Sequence, residues 1–410
     1  MSKIKYCRSC NSDELDYLFS LGKQYYTGIF PKKKSLIVPS GKLELIKCKK
    51  CHLVQLSENF NLKKMYGIDY GYRTGLNLSM VNHIKKKIQI IKNKVKLNKN
   101  DLIIDIGSND GTLLKCFDNN KFNLVGIDPT ISKFRKYYPK KIKKIANFFS
   151  KKNLAKVIKQ KKAKLITSIA MFYDLKNPTA FAKEIYSLLD DNGIWHLEQS
   201  YSGHMLSNLS YDTICHEHLE YYSLKSIKYI FDKANLKIID INFNKINGGS
   251  FAITVAKKKS SILSNKKKIL AIINKEKIKK INSTQTYKKF YKKILNEKVR
   301  LINLLKKLNI NKKVIIGYGA STKGNVILQF CNINSRLIKY ICEVNKDKNN
   351  CHTPGTNIKI INESLAKKIK PDYYFVLPWH FKKFIIKKEK NLIKNGTKFI
   401  FPLPKLQIIG

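Results

Sequence analysis

Arginine is scarce in this chain: five residues (Arg8, Arg73, Arg135, Arg300 and Arg336) among 81 basic side chains. The formal net charge of +53 would by itself suggest nucleic acid or an acidic membrane as a partner. Nucleic-acid readers, however, rely on arginine for bidentate base and phosphate contacts. Here lysine spreads through nearly every segment, so the charge reads as solvated faces of a lysine-biased chain. Long apolar runs are also missing, none approaching the ~18 residues that span a bilayer. Met1-Ser-Lys-Ile-Lys-Tyr-Cys7 lacks the apolar core of a signal peptide. The expectation is a cytoplasmic protein with neither nucleic acid nor membrane as partner. No short internal repeat is present, which excludes a solenoid. Nine cysteines, an odd number without a secretion signal, favour thiols and metal ligands over a disulfide framework.

With 410 residues, the chain is too long for one ordinary core and suggests two to three domains. Near the N-terminus stand two CxxC knuckles, Cys7-Arg-Ser-Cys10 and Cys48-Lys-Lys-Cys51, 37 residues apart. Each knuckle offers two thiolates to a tetrahedral metal, and together they make a closed four-cysteine zinc site. His52 is an alternative ligand, but Cys51 beside it is the better one. Four thiolates leave no position for water, so this zinc serves folding and not catalysis.

After an amphipathic helix over Val81 to Val95, strands and helices alternate. Strand candidates are Asp101 to Gly107, Asn123 to Asp128, Lys164 to Ile169, Gly193 to Glu198 and Ser250 to Val255, with a helix beginning at Leu113 to Phe117. The alternation implies an α/β fold built on a doubly wound parallel sheet. A lysine-rich helical connector follows. A second α/β unit then begins at Lys313 to Gly319, with a helix from Ala320 to Phe330 and strands at Leu337 to Glu343 and Pro371 to Leu377. The expected divisions are 1–62, 63–260, 261–309 and 310–410.

Two loops look built for ligands. In Asp105-Ile-Gly107-Ser-Asn109-Asp110-Gly111 a glycine at a strand end lets the backbone pass close to a ligand at the carboxyl edge of the sheet. Asp128, ending the next strand, is placed to accept ribose hydroxyls. The loop lacks the GxGxxG form that seats a pyrophosphate. A cofactor without phosphates fits better, and the run resembles the S-adenosylmethionine loop of class I methyltransferases. The C-terminal Gly317-Tyr-Gly319-Ala-Ser321-Thr-Lys323-Gly324 is looser. Its amides and Lys323 are candidates for a diphosphate, with Glu343 for a ribose.

Between the loops, Tyr211 to Ser223 packs two histidines, three carboxylates and three tyrosines into thirteen residues. Burying unpaired polar groups costs about 1–3 kcal/mol each, so His216, Glu217 and His218 side by side point to chemistry. An unperturbed imidazole changes charge near pH 6.5.

Taken together, the CxxC pairs, Asp69-Tyr-Gly-Tyr72, Asp105 to Gly111, Tyr211 to Ser223, Asn247-Gly-Gly-Ser250, Gly317 to Gly324 and Leu377-Pro-Trp-His380 resemble the three-domain nucleotide-sugar C-methyltransferase family, over essentially the whole chain. The resemblance implies an N-terminal zinc module, a central Rossmann-like class I methyltransferase domain that binds S-adenosylmethionine, and a C-terminal Rossmann-like domain for the substrate's nucleotide. It implies methyl transfer to carbon next to the ketone of an NDP-4-keto-deoxyhexose, with His218 as the base. Glu217 and His216 would orient or bind sugar hydroxyls, and Tyr72, or else Tyr70, would supply a phenol. Relatives often carry tyrosine where this chain has Cys215, and histidine where it has Asp174. The zinc and the nucleotide sugar are the expected ligands, and the oligomeric state is left open. The competing classes are a methyltransferase of nucleic acid or another small molecule, and a non-catalytic nucleotide-sugar binder. The first lacks an Asn/Asp-Pro-Pro-aromatic run in Ala170-Met-Phe-Tyr-Asp-Leu175, and the second would not need the loops and His-Glu-His that are present.

Overall fold

The computed structural model describes residues 2–33, 35–66 and 70–410. Asp69 lies outside these, and so does the side chain of Asn247. Leu102–Ile106, apolar but for Asp105, is buried throughout, as a parallel strand covered on both faces must be. It is central to a seven-stranded sheet. Lys143–Ile145, Asn123–Ile127, Leu102–Ile106, Ala163–Ile169 and Leu189–Ser200 lie parallel in that order, and Ser250–Lys257 then Leu236–Asn244 complete the sheet antiparallel. The expected doubly wound parallel sheet is present, with antiparallel pairing added at one edge. Leu236–Asn244, which the sequence did not signal, reaches Ser250–Lys257 through a short loop with Gly248 at φ +87° and Gly249 at φ +123°. A parallel crossover needs a dozen or more residues, so this loop can make only a hairpin.

The helix expected from Leu113 also differs. It is a single turn, Leu114–Cys116, because Asp118 turns the chain: its carboxylate accepts from the Asn120 amide at 2.8 Å and its carbonyl from Lys121 and Phe122. The preceding helix, Leu78–Lys92, starts at Asn77, whose side chain caps Ser79 and Met80. It lays Met80, Ile84, Ile88 and Ile91 against Ile103 of the sheet and Leu114 of that single turn.

The N-terminal module is an antiparallel sheet of Leu15–Tyr25, Ser40–Cys48 and Val54–Leu56, with Glu220–Tyr221 from the His-Glu-His segment added as its fourth strand. The C-terminal unit has the order Lys359–Asn362, Tyr340–Glu343, Ile315–Tyr318, Tyr373–Val376, Lys398–Phe401, all parallel, then Gln407–Ile409 antiparallel. Two helices, Lys266–Ile278 and Thr284–Ile310, connect it to the central sheet. The longer one buries Tyr287, Phe290, Ile294, Leu301, Leu305 and Leu308, a helical stripe. Its apolar face joins N-terminal residues such as Phe19 and Leu45 and C-terminal ones such as Ile316 in one continuous core. Cys7, Cys48 and Cys51 pack instead into the core of the central sheet. The N-terminal module is thus wedged between the two larger units, and this fixes the crevice between them. Among the described residues, no helix is long and apolar enough to cross a membrane.

Candidate active site

The order of the central sheet reverses between Leu102–Ile106 and Ala163–Ile169, and ligands bind at the carboxyl ends of strands at such a point. A cavity of about 820 Å³ opens there and is walled by all three units, within the range that small-molecule sites occupy.

On the central wall, Gly107 takes φ +73°, and a Cβ would lie 3.0 Å from Met171. Asp105 is buried and accepts from the Thr167 hydroxyl at 2.7 Å, and burial pushes its pKa up to about 7. The Asn109 amide donates to Asp128 Oδ2 at 3.0 Å, and Thr130 donates to Oδ1 from its amide at 2.6 Å and its hydroxyl at 2.5 Å. Asp105, Gly107, Asn109 and Asp128 all line the cavity. Asp110 and Gly111 do not, and both have scaffold positions. Asp110 accepts from Thr112 and, through Oδ2, from the Gly75 amide at 3.0 Å, and pairs with Arg73 at 3.3 Å. It thereby holds the segment bearing Tyr72 against the loop. Gly111, at φ +73°, leaves room for the Tyr138 ring, which a Cβ would approach to 2.7 Å.

The His-Glu-His residues point different ways. His218 Nδ1 lies 2.8 Å from the Thr213 carbonyl. A carbonyl only accepts, so Nδ1 carries the proton and Nε2 holds the basic lone pair. The ring packs on Tyr173 with centroids 4.0 Å apart and lines the cavity. Burial, reinforced by the nearby Lys323 ammonium, pushes its pKa down to about 3, so the ordinary value near 6.5 does not apply here. Glu217 also lines the cavity. Thr27 donates to its Oε2 at 3.3 Å, the Cys215 thiol lies beside it, and burial raises its pKa. His216 does not belong to this site. It is fully buried between Tyr26 and Phe60, each with ring centroids 4.8 Å away, and its Nε2 lies 3.3 Å from the Gly41 carbonyl. Its place is in the N-terminal module's packing, because Cys215 to His218 form a turn, closed by the His218 amide on the Cys215 carbonyl, and the turn sends the two imidazoles different ways.

Tyr66, Tyr70 and Tyr72 also line the cavity, with the Tyr66 ring tilted against Tyr70 at 5.1 Å. The Tyr66 hydroxyl donates to Asp174 at 2.5 Å, a pair between residues 108 apart in sequence. On the C-terminal side, Gly319 takes φ +81° under Pro378, and the Ser321 hydroxyl caps the helix Thr322–Phe330 by accepting from the Gly324 amide. Lys323 has Asp212, Cys215 and His218 of the central unit and His380 of its own unit as electrostatic neighbours. Asp212 in turn accepts from the Trp379 indole at 2.8 Å. The Glu343 carboxylate also lines the cavity and accepts from the amides of Ala320, Val344 and Asn345, as Asp128 does from its own loop.

At the zinc site, Cys7, Cys10, Cys48 and Cys51 bring their sulfurs within 4.8 Å of one another. Four Zn–S bonds of ~2.3 Å in a tetrahedron need sulfurs about 3.8 Å apart, so the donor set fits, and His52 is not in the group. Arg8, inside the first knuckle, donates to the carbonyls of Leu56 and Glu58 and neighbours Glu220. This arginine ties the metal to the strand that pairs with Glu220–Tyr221.

Three family models match in tandem: "Putative zinc binding domain" over residues 7–66, "Methyltransferase domain" over 80–241, and "C-methyltransferase C-terminal domain" over 245–404. The chain is also 26% identical over 369 residues to the C-methyltransferase NovU of Streptomyces niveus, spanning 90% of this chain and 87% of that one. The protein belongs to the S-adenosylmethionine-dependent C-methyltransferases. Among solved structures, the methyltransferase is similar to an S-adenosylmethionine-dependent methyltransferase from Clostridium acetobutylicum (TM-score 0.32, 13% identity, 44% of this chain and 92% of that one). It is also similar to the CcbJ methyltransferase from Streptomyces caelestis (TM-score 0.33, 9% identity, 42% and 89%). Its class I fold is read from the strand order itself.

The methyltransferase's cofactor is S-adenosylmethionine and its zinc is structural. The cavity fits the cofactor: Gly107 leaves backbone space that a Cβ would fill, and Asp128 ends the second strand. Asp128→Ala should weaken S-adenosylmethionine binding by about 1–3 kcal/mol, the range for hydrogen bonds to a charged group, and unchanged affinity by calorimetry would place the ribose contact elsewhere.

Thr27 and Gly28 were not signalled by the sequence. They reach the site because the N-terminal module is bonded to the C-terminal helix, through Asn325 to the Thr27 carbonyl and Gln329 to Tyr25. A Cβ on Gly28 would sit 2.4 Å from Glu217 Oε1. Gly28→Ala in the methyltransferase should therefore displace Glu217 and lower kcat by up to ~10²-fold, the scale of an ångström-sized misplacement. Zinc content and cofactor affinity should stay unchanged, and wild-type turnover in this variant would remove Glu217 from the account.

Proposed function

We propose that the enzyme methylates carbon next to the ketone of an NDP-4-keto-deoxyhexose. The observation that carries this reading is a neutral imidazole, His218, whose proton is fixed on Nδ1 by the Thr213 carbonyl, in one cavity with the cofactor loop and the glycine turn of the C-terminal unit. Bound S-adenosylmethionine supplies the electrophilic methyl group. The chain's own residues do the rest. His218 Nε2 removes the proton from the carbon, which is general-base catalysis worth about 10²–10⁴-fold. Glu217, held by Thr27 and Cys215, orients a sugar hydroxyl, and Tyr72 or Tyr70 adds a phenol from the cavity wall. Asp105, Gly107, Asn109 and Asp128 hold the cofactor, with Asp110 and Gly111 shaping its loop. Gly319, Ser321 and Lys323 face the nucleotide. We assign the zinc module to 1–62, the methyltransferase domain to 63–260, the helical connector to 261–309 and the nucleotide-binding domain to 310–410. His216 receives no catalytic role.

The test is incubation of the purified protein with S-adenosylmethionine and a panel of NDP-4-keto sugars, followed by mass spectrometry and NMR of the product. A gain of one methyl group on carbon is expected. Methylation of oxygen or nitrogen instead, with no C-methyl product, would overturn the reading.

A further inference from the structure

Asp174 closes the one-turn helix Phe172–Asp174 directly after the strand Ala163–Ile169, and it lines the cavity. Its neighbour Tyr173 is the residue whose ring packs on His218 at 4.0 Å. The Tyr66 hydroxyl donates to Oδ2 at 2.5 Å, whereas Oδ1 is buried and, among the described residues, has no hydrogen-bond partner.

The groups around this carboxyl share one character. Glu217 and Glu220 come from the His-Glu-His segment together with the Cys215 thiol, Tyr66 and Tyr70 from the stretch between the units, and Tyr173 from its own turn. These are acids or groups that become anions on losing a proton. An enclosed carboxylate with one donor and two further carboxyls nearby is the costly form, and a proton removes the charge. Burial, opposed only by the Tyr66 bond and aided by Glu217, holds its pKa well above the carboxylate range. Tyr66 fixes which oxygen is taken, so the proton belongs on Oδ1.

Building on the proposed C-methylation, we propose that Asp174 is a further catalytic residue, a neutral acid whose Oδ1–H donates a hydrogen bond to the substrate's ketone oxygen as it becomes an enolate. The electrons balance without any transfer from Asp174. His218 Nε2 takes the proton from carbon, the C–H pair becomes the C=C bond, and the carbonyl pair moves onto the oxygen that Oδ1–H meets. When the carbon takes the methyl group, the C=C pair becomes the new C–C bond, the pair of the broken methyl–sulfur bond stays with the departing thioether, the C=O bond re-forms and His218 releases its proton to solvent. Buried neutral carboxylic acids do stabilise enolates in this way elsewhere. An ionised Asp174 would instead repel the developing charge.

Two variants separate these forms. The Asp174→Asn amide keeps the shape, accepts from Tyr66 and still donates, so kcat should stay within about tenfold of wild type. Asp174→Ala removes the donor, and kcat should fall about 10²–10³-fold, the cost of losing one oxyanion donor, with cofactor affinity unchanged. The infrared difference spectrum of wild type minus Asp174→Asn at pH 7 should contain the C=O band of a protonated carboxyl. Absence of that band, wild-type kcat in Asp174→Ala, or equal damage in both variants would overturn the assignment. The infrared band needs no substrate. A wild-type enzyme with this band that methylates no keto sugar would defeat the substrate reading, and the enolate role with it, while leaving the proton on Asp174 established.

Discussion

Replacing His218 by asparagine is expected to lower methyl transfer by at least about 10²–10⁴-fold, the usual worth of a positioned base, while S-adenosylmethionine and nucleotide-sugar binding persist. Asparagine can still donate towards the Thr213 carbonyl, so the loop should keep its course. What it loses is the Nε2 lone pair, the one ring position not engaged by the backbone. Exchange of the sugar proton with heavy water should fall in parallel, because abstraction precedes methylation. The pH profile carries a second signature. A base works when neutral, and its neutral fraction falls as pH drops through its pKa. An ordinary histidine would give an acid limb near pH 6.5, but burial and Lys323 place His218 near 3. The free-enzyme rate should therefore show no limb from this group between pH 8 and pH 5. A titration near 6.5 seen by NMR of the His218 ring would contradict the environment described here, and wild-type exchange in His218→Asn would move the base elsewhere.

Removing zinc should have the other large effect, and it should reach the chemistry as well as the fold. Closed cysteine sites bind zinc with about 10–16 kcal/mol in small finger peptides at neutral pH, as much as the whole stability of a typical domain at about 5–15 kcal/mol. Three of the four ligands, Cys7, Cys48 and Cys51, are buried in the core of the central sheet. The module they hold pairs Gln55 with Glu220 and Val54 with Tyr221, and it places Gly28 against Glu217. A variant with both Cys7 and Cys10 changed to serine should retain no zinc, unfold at lower temperature and lose turnover even where the central sheet survives. Metal analysis, thermal unfolding and activity measured together test this. A metal-free variant with wild-type melting and turnover would show that the zinc module is not needed.

The elements legible in the sequence were those whose residues report their own burial. Leu102–Ile106 reads as a strand because a short apolar stretch broken only by Asp105 and ending at Gly107 has few other uses, and Leu301, Leu304, Leu305 and Leu308 read as a helix by their spacing. Leu236–Asn244 did not, because an edge strand alternates Lys, Asp and Asn with its apolar residues and its partner is set by a glycine hairpin. The four cysteines were legible because metal chemistry constrains local spacing. His216 stands apart from the cavity because adjacency in sequence is not adjacency in space: the turn from Cys215 to His218 sends it to the module core and His218 to the cavity. Tyr66 with Asp174, Thr27 with Glu217, and Lys323 beside His218 were out of reach. Each pairs residues about a hundred or more positions apart, and only the packing of the units brings them together.

The central claim is that carbon becomes the nucleophile. It is tested most directly by incubating the wild-type enzyme with an NDP-4-keto-deoxyhexose in heavy water without a methyl donor and following the protons beside the ketone by NMR. The account predicts enzyme-dependent exchange at one carbon, and methylation at that same carbon once S-adenosylmethionine is added. Methyl transfer to the sugar with no exchange at any position next to the ketone would contradict it.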